Sequence, residues 1–216
     1  MDNTFSLTAT RQIDAEPSTK IFMRLKRGVD VLGALIALPV LIAAGSLVWL
    51  INRRFNPGPL FYTQQRMGRD CRPFTIYKFR SMLPEQTASD KRSYADPLET
   101  HRITPFGAVM RRTRIDELPQ ILNILLGDMS FVGPRPDTYA HAVKFAELVP
   151  GYRERHTVRP GITGLAQIKV GYAEGIDATT QKVAADLSYI RSMSALSELR
   201  IVAGTAWVVI SGHGAR

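Results

Sequence analysis

Two adjacent carboxylates, Asp116 and Glu117, directly follow the cations Arg111, Arg112 and Arg114. Guanidinium groups keep a neighbouring carboxylate ionised, and they grip phosphate oxygens through paired hydrogen bonds. The combination suits a phosphorus electrophile held beside a carboxylate nucleophile. A plainer reading makes Asp116 a helix cap and the arginines its salt-bridge partners on a solvated face. Spacing alone favours the plainer reading.

The element that must position these residues is a short amphipathic helix, because Leu118, Ile121, Leu122 and Leu125 recur at helical spacing and Gly127 stands where a helix would end. With Asp116 as N-cap, Pro119 falls in the first turn. A start at Thr113 would place Pro119 in the interior, at a cost of about 3 kcal/mol. A helix N-terminus concentrates unpaired N–H groups, which would keep Asp116 ionised or favour a phosphate.

Other basic residues lie on strands and stiff loops. Leu60 to Gly68 reads as a strand running into a turn, and Phe74 to Met82 alternates like a half-buried strand. Lys78 and Arg80 would then share a face, as ligand contacts or as two solvated edge charges. Thr104-Pro105-Phe106-Gly107 leads into a helix that ends at the arginine cluster, and the polar run Pro84 to Arg102 reads as a surface loop. Gly133-Pro134-Arg135-Pro136 is too proline-rich for a helix or central strand, so it forms either a simple turn or a rigid loop presenting Arg135. Arg159-Pro160-Gly161-Ile162-Thr163-Gly164 reads as a glycine-spaced loop entering a strand, and no Gly-Lys-Ser/Thr follows to make it a Walker loop.

Val31 to Ile51 carries no charge and is apolar apart from Gly33, Pro39, Gly45 and Ser46, and its 21 residues could span a bilayer. Basic residues flank both ends, with Arg24, Lys26 and Arg27 before it and Arg53 and Arg54 after it, so the charges give no polarity. Pro39 near the middle would bend the helix. A spanning helix, a re-entrant helix and a buried core helix all remain open on these residues. Asp30 reads as a helix-end or interfacial residue. Residues 1–19 are polar and aperiodic, a flexible tail without the features of a signal peptide. Leu196, Leu199, Val202, Ala203, Ala206, Trp207 and Ile210 keep a helical period in an amphipathic helix. It would close the core or lie at a membrane interface, and closing the core is the preferred role.

The 216 residues, 45% of them hydrophobic, are enough for one sizeable domain. A net charge of +9 points to a polyanionic partner, whether nucleic acid, an anionic membrane or a diphosphate substrate. A single cysteine, Cys71, excludes an internal disulfide framework, and the four histidines have no zinc-like spacing.

The run Arg-Ile-Asp-Glu-Leu-Pro-Gln at 114–120, with Asn123, Gly127-Asp128-Met129-Ser130 and Gly133-Pro134-Arg135-Pro136, closely resembles the bacterial sugar transferase family. These are monotopic phosphoglycosyl transferases that begin the assembly of surface polysaccharides, and the likeness covers roughly residues 20 to 216. The resemblance implies an α/β, helix-rich fold with a small β-sheet. One re-entrant, proline-broken membrane helix (20–54) would precede a catalytic domain (55–216) on the cytoplasmic face of the bacterial inner membrane. It implies that Asp116 attacks the β-phosphate of a UDP-sugar with Glu117 assisting, that UMP leaves, and that polyprenyl phosphate takes the phosphosugar.

Mg²⁺ is the implied cofactor, with Asp116 as its ligand. Lys78, Arg80, Arg111, Arg112, Pro134, Arg135, Arg159 and Asp186 become the implied substrate contacts, Asp186 either in the site or orienting an arginine. Glu198 stands where the family often has an aspartate. With no multi-span segment ahead of it, the chain resembles the family's small members. Membrane lipids, a second copy in a homodimer and downstream glycosyltransferases are implied partners, and nucleic acid is not. The alternative, a basic membrane-anchored module binding nucleic acid or anionic lipid, leaves the Asp-Glu pair without a purpose and lacks interleaved aromatics.

Overall fold

A computed structural model of the chain describes residues 17–56, 58–83, 100–171 and 175–211. The expected tail lies almost wholly outside these residues, as does most of the expected loop Pro84 to Arg102.

The first element, α1 (Pro17–Phe55), is one helix of 39 residues with Pro39 inside it. The helix is thus not interrupted at Pro39, where the sequence leads one to expect a bend. A proline removes its own N–H bond and crowds one carbonyl, which the apolar, leucine- and alanine-rich turns on either side absorb without ending the helix. Ala34, Leu41 and Val48, seven residues apart, form a narrow buried stripe. Beside it, Gly33 and Gly45 let the rings of Phe131 and Phe79 approach. Leu32, Leu35, Ile36, Val40, Ile42, Leu47 and Trp49 remain exposed. Only 17% of the most apolar window is buried, which is not the burial of a core helix, and by length and composition α1 is able to cross a membrane.

Strands β1 (Phe61–Met67) and β2 (Pro73–Phe79) pair antiparallel, Phe61 opposite Phe79 and Met67 opposite Pro73. Helix α2 (Pro105–Arg112) starts at Thr104, whose side chain accepts from the Gly107 N–H. It ends at the arginine cluster as the sequence indicates. A 3₁₀ turn over Ile115–Glu117 follows, and then α3 (Gln120–Leu126), closed by Gly127 in the left-handed region. Asp116 is thus not the cap of α3. Pro119 has no N–H to give the carbonyl of Ile115 in an α pattern, so the Leu118 N–H takes that carbonyl at 3.1 Å and the chain enters α3 through tighter turns.

A second, parallel pair joins β3 (Ser130–Val132) to β4 (Gly161–Thr163), with Ser130 opposite Gly161 and Val132 opposite Thr163. Between them run α4 (Tyr139–Leu148) and a 3₁₀ turn over Glu154–Thr157. Helices α5 (Leu165–Lys169), α6 (Ile176–Arg191) and α7 (Ala195–Ser211) complete the described chain. The architecture is helix-rich with small sheets, as expected.

The main core packs the α1 stripe against Ile76 and Phe79 of the hairpin, Met110 of α2, and Ile121 and Ile124 of α3. Asn123, wholly buried, locks α3 onto β2: its Oδ1 accepts from Tyr77 N at 3.0 Å and its Nδ2 donates to the Thr75 carbonyl at 2.7 Å. A second cluster joins Met67, Cys71, Phe145, Tyr152 and Val183, and a third joins Val132, Tyr189 and Ile201. Helix α7 departs from the preferred core role: Ile201 is buried, but Leu196, Leu199, Val202 and Trp207 are exposed. The helical period was read correctly, but its protein partners lie on one side, through Glu198, Ile201, Gly204 and Thr205.

His156 lies beside the second cluster, 3% exposed, with its ring 5.3 Å from that of Tyr152 and its Nε2 without a hydrogen bond. Burial, reinforced by the charge of Arg155, pushes the imidazole down to about 3. A folded value below the unfolded one of about 6.5 stabilises the fold fully above pH 6.5, and the contribution is lost as pH falls toward the folded value. Thermal midpoints of the detergent-solubilised protein should fall between pH 6.5 and pH 5, losing up to about 1.4 kcal/mol per pH unit. His156→Gln should flatten that slope, and an unchanged slope would mean that other groups set it.

Candidate active site

Three segments distant in sequence meet at Glu117. Lys78 Nζ, from β2, donates to Oε1 at 2.9 Å. Arg135, from the loop after β3, grips both oxygens, Nη1 donating to Oε2 at 3.2 Å and Nη2 to Oε1. Arg114 adds a more distant charge, its Nη1 4.0 Å from Oε2. Burial works against the Glu117 charge, yet Arg135 and Lys78 together hold the carboxyl well below the usual carboxylate range. Burial likewise lowers the Lys78 ammonium, against the pull of Glu117.

Asp116, the preceding residue, experiences the reverse. It is 7% exposed, and its Oδ1 is buried without a hydrogen-bond partner. Burial pushes its carboxyl up; the charge of Lys78 opposes this most strongly, with Arg111 and Arg135 adding to it. The expected helix N-terminus does not stand at Asp116, since α3 begins only at Gln120, and burial is the largest influence on its carboxyl. An unpaired, buried carboxylate oxygen beside a cluster of cations is nevertheless the form a nucleophile or a cation ligand needs.

Of the other residues singled out from sequence, Arg111 points its Nη1 at Met82 Sδ, 3.2 Å away, and contributes charge to Asp116. Arg112 is exposed at the end of α2, and Pro134 is buried. Arg80 lies apart from Lys78. The strand ends at Phe79, and the buried Arg80 donates to the carbonyls of Asn56 at 2.6 Å and Pro59 at 2.9 Å, bracing the connection from α1. Arg159 Nε donates to the Gly127 carbonyl at 2.8 Å, and Asp186 pairs with Arg155. The structure therefore brings together Asp116, Glu117, Lys78, Arg111 and Arg135, and gives Arg80, Arg159 and Asp186 partners elsewhere.

Sequence reasoning passed over Arg155 and Arg27. Arg27 donates to the carbonyls of Ile124 at 2.7 Å and Leu125 at 3.3 Å. With Arg159 it supplies the C-terminal cations that α3, with no basic residue in its last turn, lacks. The glycine spacing of 161–164 also has a structural cause. A Cβ on Gly161 would stand 2.1 Å from Gly133 N and one on Gly133 would stand 2.4 Å from the Arg159 carbonyl, so the two loops need bare backbone to approach each other.

Among the described residues no group of three or more His, Cys, Asp and Glu side chains forms a metal cage. Mg²⁺ does not require one, because it keeps several waters and takes one or two carboxylates together with substrate phosphates. The orphaned Oδ1 of Asp116 fits that role, while Glu117 is already engaged by cations.

A model of the bacterial sugar transferase family matches residues 21–212. The chain belongs to that family. Among its relatives, the UDP-N-acetylgalactosamine-undecaprenyl-phosphate N-acetylgalactosaminephosphotransferase of Aeromonas hydrophila is 40% identical over 196 residues, which cover 91% of this chain and 46% of the relative. The exopolysaccharide production protein PSS of Rhizobium leguminosarum bv. phaseoli is 41% identical over 84% of this chain and 92% of its own length. The UDP-glucose:undecaprenyl-phosphate glucose-1-phosphate transferase of Escherichia coli K12 is 37% identical over 86% of this chain and 40% of its own length. This bacterial sugar transferase thus spans under half of two relatives and nearly all of the third.

The turn carrying Asp116 opens with strain: Arg114 is a non-glycine residue at φ 60°, ψ 14°. Such a conformation costs a side-chain-bearing residue about 1–2 kcal/mol. Arg114→Gly should therefore be more stable than Arg114→Ala by about 1 kcal/mol in denaturant titration. Equal midpoints would show that the turn relaxes out of the left-handed region once the arginine is removed.

Proposed function

We propose that this chain transfers a sugar-1-phosphate from a UDP-sugar to undecaprenyl phosphate, releasing UMP, through a covalent phosphosugar on Asp116. The observation that carries the reading is the unpaired, buried Oδ1 of Asp116 next to a Glu117 that holds Lys78 and Arg135 in place. The activities for which the Aeromonas and Escherichia relatives are named support the same substrates.

In the first step Asp116 attacks the β-phosphorus of the UDP-sugar. The bond to the oxygen bridging the two phosphorus atoms breaks, and UMP departs with that electron pair. In the second, a phosphate oxygen of undecaprenyl phosphate attacks the same phosphorus, and the Asp116 carboxylate leaves. Dividing one transfer in this way is nucleophilic catalysis. Lys78, Arg111 and Arg135 favour the ionised, attacking form of Asp116 against the effect of burial. Lys78 and Arg135 also offer donors to the diphosphate oxygens, on which negative charge accumulates as UMP leaves. Glu117, saturated by cations, acts as their anchor in this state rather than as a proton acceptor. When bound, Mg²⁺ would be held by Asp116 and would neutralise diphosphate charge.

UMP release from a panel of UDP-sugars, with undecaprenyl phosphate and Mg²⁺ present, tests the reading and identifies the sugar. Asp116→Asn keeps the shape and removes the nucleophile, so activity should fall at least about 100-fold. Wild type given UDP-sugar alone should carry a phosphosugar adduct on the Asp116 peptide. Residual activity near the wild-type level, with no adduct, would sink the covalent route.

We also propose that α1 enters and leaves the membrane on the cytoplasmic face. The stretches on both sides of Pro39 dock on the same domain: Arg27 and Asp30 reach α3 and β3, while Gly45 and Asn56 reach Phe79 and Arg80. A helix that left the domain behind to cross the bilayer would lose half of these contacts. In a Cys71→Ser background, Lys20→Cys and Arg54→Cys should both escape a membrane-impermeant thiol reagent in intact cells and both react after lysis. Labelling of position 20 alone in intact cells would mean that the helix spans.

A further inference from the structure

Arg135 presents its guanidinium to the site, but its backbone is held by a residue that touches none of the reacting groups. Arg155 is 3% exposed, and its Nη2 donates to the Arg135 carbonyl at 2.9 Å. Its Nη1 donates to Asp137 Oδ2 at 2.6 Å and its Nε to Asp186 Oδ2 at 2.9 Å. The Tyr152 hydroxyl donates to the same Asp137 oxygen at 2.7 Å, and the Tyr152 ring lies under the guanidinium, 5.2 Å from centroid to Cζ. Asp186, on α6, is 1% exposed.

A buried guanidinium between two carboxylates is weak grounds for stability, since the desolvation of three charges consumes most of what their pairing returns, and apolar replacements of such clusters are often neutral or better. The network instead fixes an orientation. Pro134 and Pro136 have no N–H, so the segment Gly133–Asp137 must be held largely through its carbonyls. Pro134 O accepts from Gly161 N at 3.0 Å, Pro136 O from Arg66 Nη1 at 3.1 Å, and Asp137 O from Met67 N at 3.1 Å. The carbonyl of Arg135, the residue whose side chain enters the site, falls to Arg155. Since Arg155 is itself oriented by Asp186, α6 is connected to the catalytic cluster through one side chain and one peptide group.

We infer that Arg155, oriented by Asp186 and Asp137, is a positioning residue for the transfer reaction, fixing the Arg135 backbone so that the Arg135 guanidinium remains aimed at Glu117 and at the diphosphate. The inference rests on the transferase reading above. Asp186, expected from sequence either in the site or orienting an arginine, here takes the second role.

The test is a double-mutant cycle on the full-length protein in detergent or nanodiscs, with UMP release as the activity and a UDP-sugar that the wild type accepts. Arg155→Lys keeps the charge but loses the planar fork. A misplacement of about 1 Å can cost on the order of 100-fold, so kcat/KM should fall about 10- to 100-fold. In an Arg135→Ala background the same substitution should change kcat/KM less than about twofold, because the group it positions is gone. Equal losses in both backgrounds, or no loss in either, would overturn the inference. Asp186→Asn, which keeps the shape, is carried through the same cycle and decides the matter if Arg155→Lys does not fold.

Hydrogen exchange on the same proteins gives a second readout that needs no turnover. Faster exchange confined to the peptide holding the Arg135 and Asp137 amides supports positioning. A rise spread evenly over the chain, or none, overturns it. A wild type that releases no UMP from any UDP-sugar would refute the proposed function, and exchange would still decide whether Arg155 holds the loop.

Discussion

The carboxylate of Glu117 is the joint on which the site depends. It binds Lys78, 39 residues earlier, and Arg135, 18 residues later, and so pins the hairpin, the 3₁₀ turn and the loop after β3 to one point. Without it, two cations would stand close together in a poorly solvated place, each raising the free energy of the other. Its neighbour Asp116 has the opposite surroundings, with an unpaired oxygen and a carboxyl pushed upward by burial. Two adjacent carboxylates whose environments drive them apart are suited to different tasks, one to hold charge in place and the other to react.

The same economy appears at the other end of α3. That helix ends without a cation of its own, and Arg27 of α1 and Arg159 of the loop before β4 take its last carbonyls. Asp30, one turn along from Arg27, accepts from Phe131 N at 3.1 Å, and Lys26 pairs with Glu198, which also receives the Tyr189 hydroxyl. Helix α1 is therefore not an anchor on a tether. Its buried stripe belongs to the same core as Phe79 and Ile124, and its polar first turns order the helix that follows Asp116 and Glu117.

Much of this was legible in local pattern. Alternation marked the second strand, Thr104 and the arginines bounded α2, Gly127 ended α3, and the prolines around Arg135 excluded regular structure. The pattern could not decide matters settled by distant partners. Lys78 and Arg80 belong to one alternating run, but the strand stops between them, and the carbonyls of Asn56 and Pro59 capture Arg80. The start of α3 was misplaced because 3₁₀ and α turns compete within one residue of each other around Pro119. The outward face of α7 has the same period as a core-facing one, and Arg155 carries no local signal because its partners lie at 135, 137 and 186.

The distribution of partners along α1 also sets an order of events during synthesis. The helix emerges from the ribosome before the domain it packs on, but Asp30 waits for the amide of Phe131, 101 residues later, and Lys26 waits for Glu198, 172 residues later. At roughly 5–20 residues per second, the first of these gaps lasts about 5–20 seconds. Over that interval water must solvate Lys26, Arg27 and Asp30 while the apolar turns beyond them need lipid or a chaperone. The nascent helix must therefore keep its charged first turns in water and its apolar turns covered before the rest of the chain exists, and the domain then condenses onto a helix already formed.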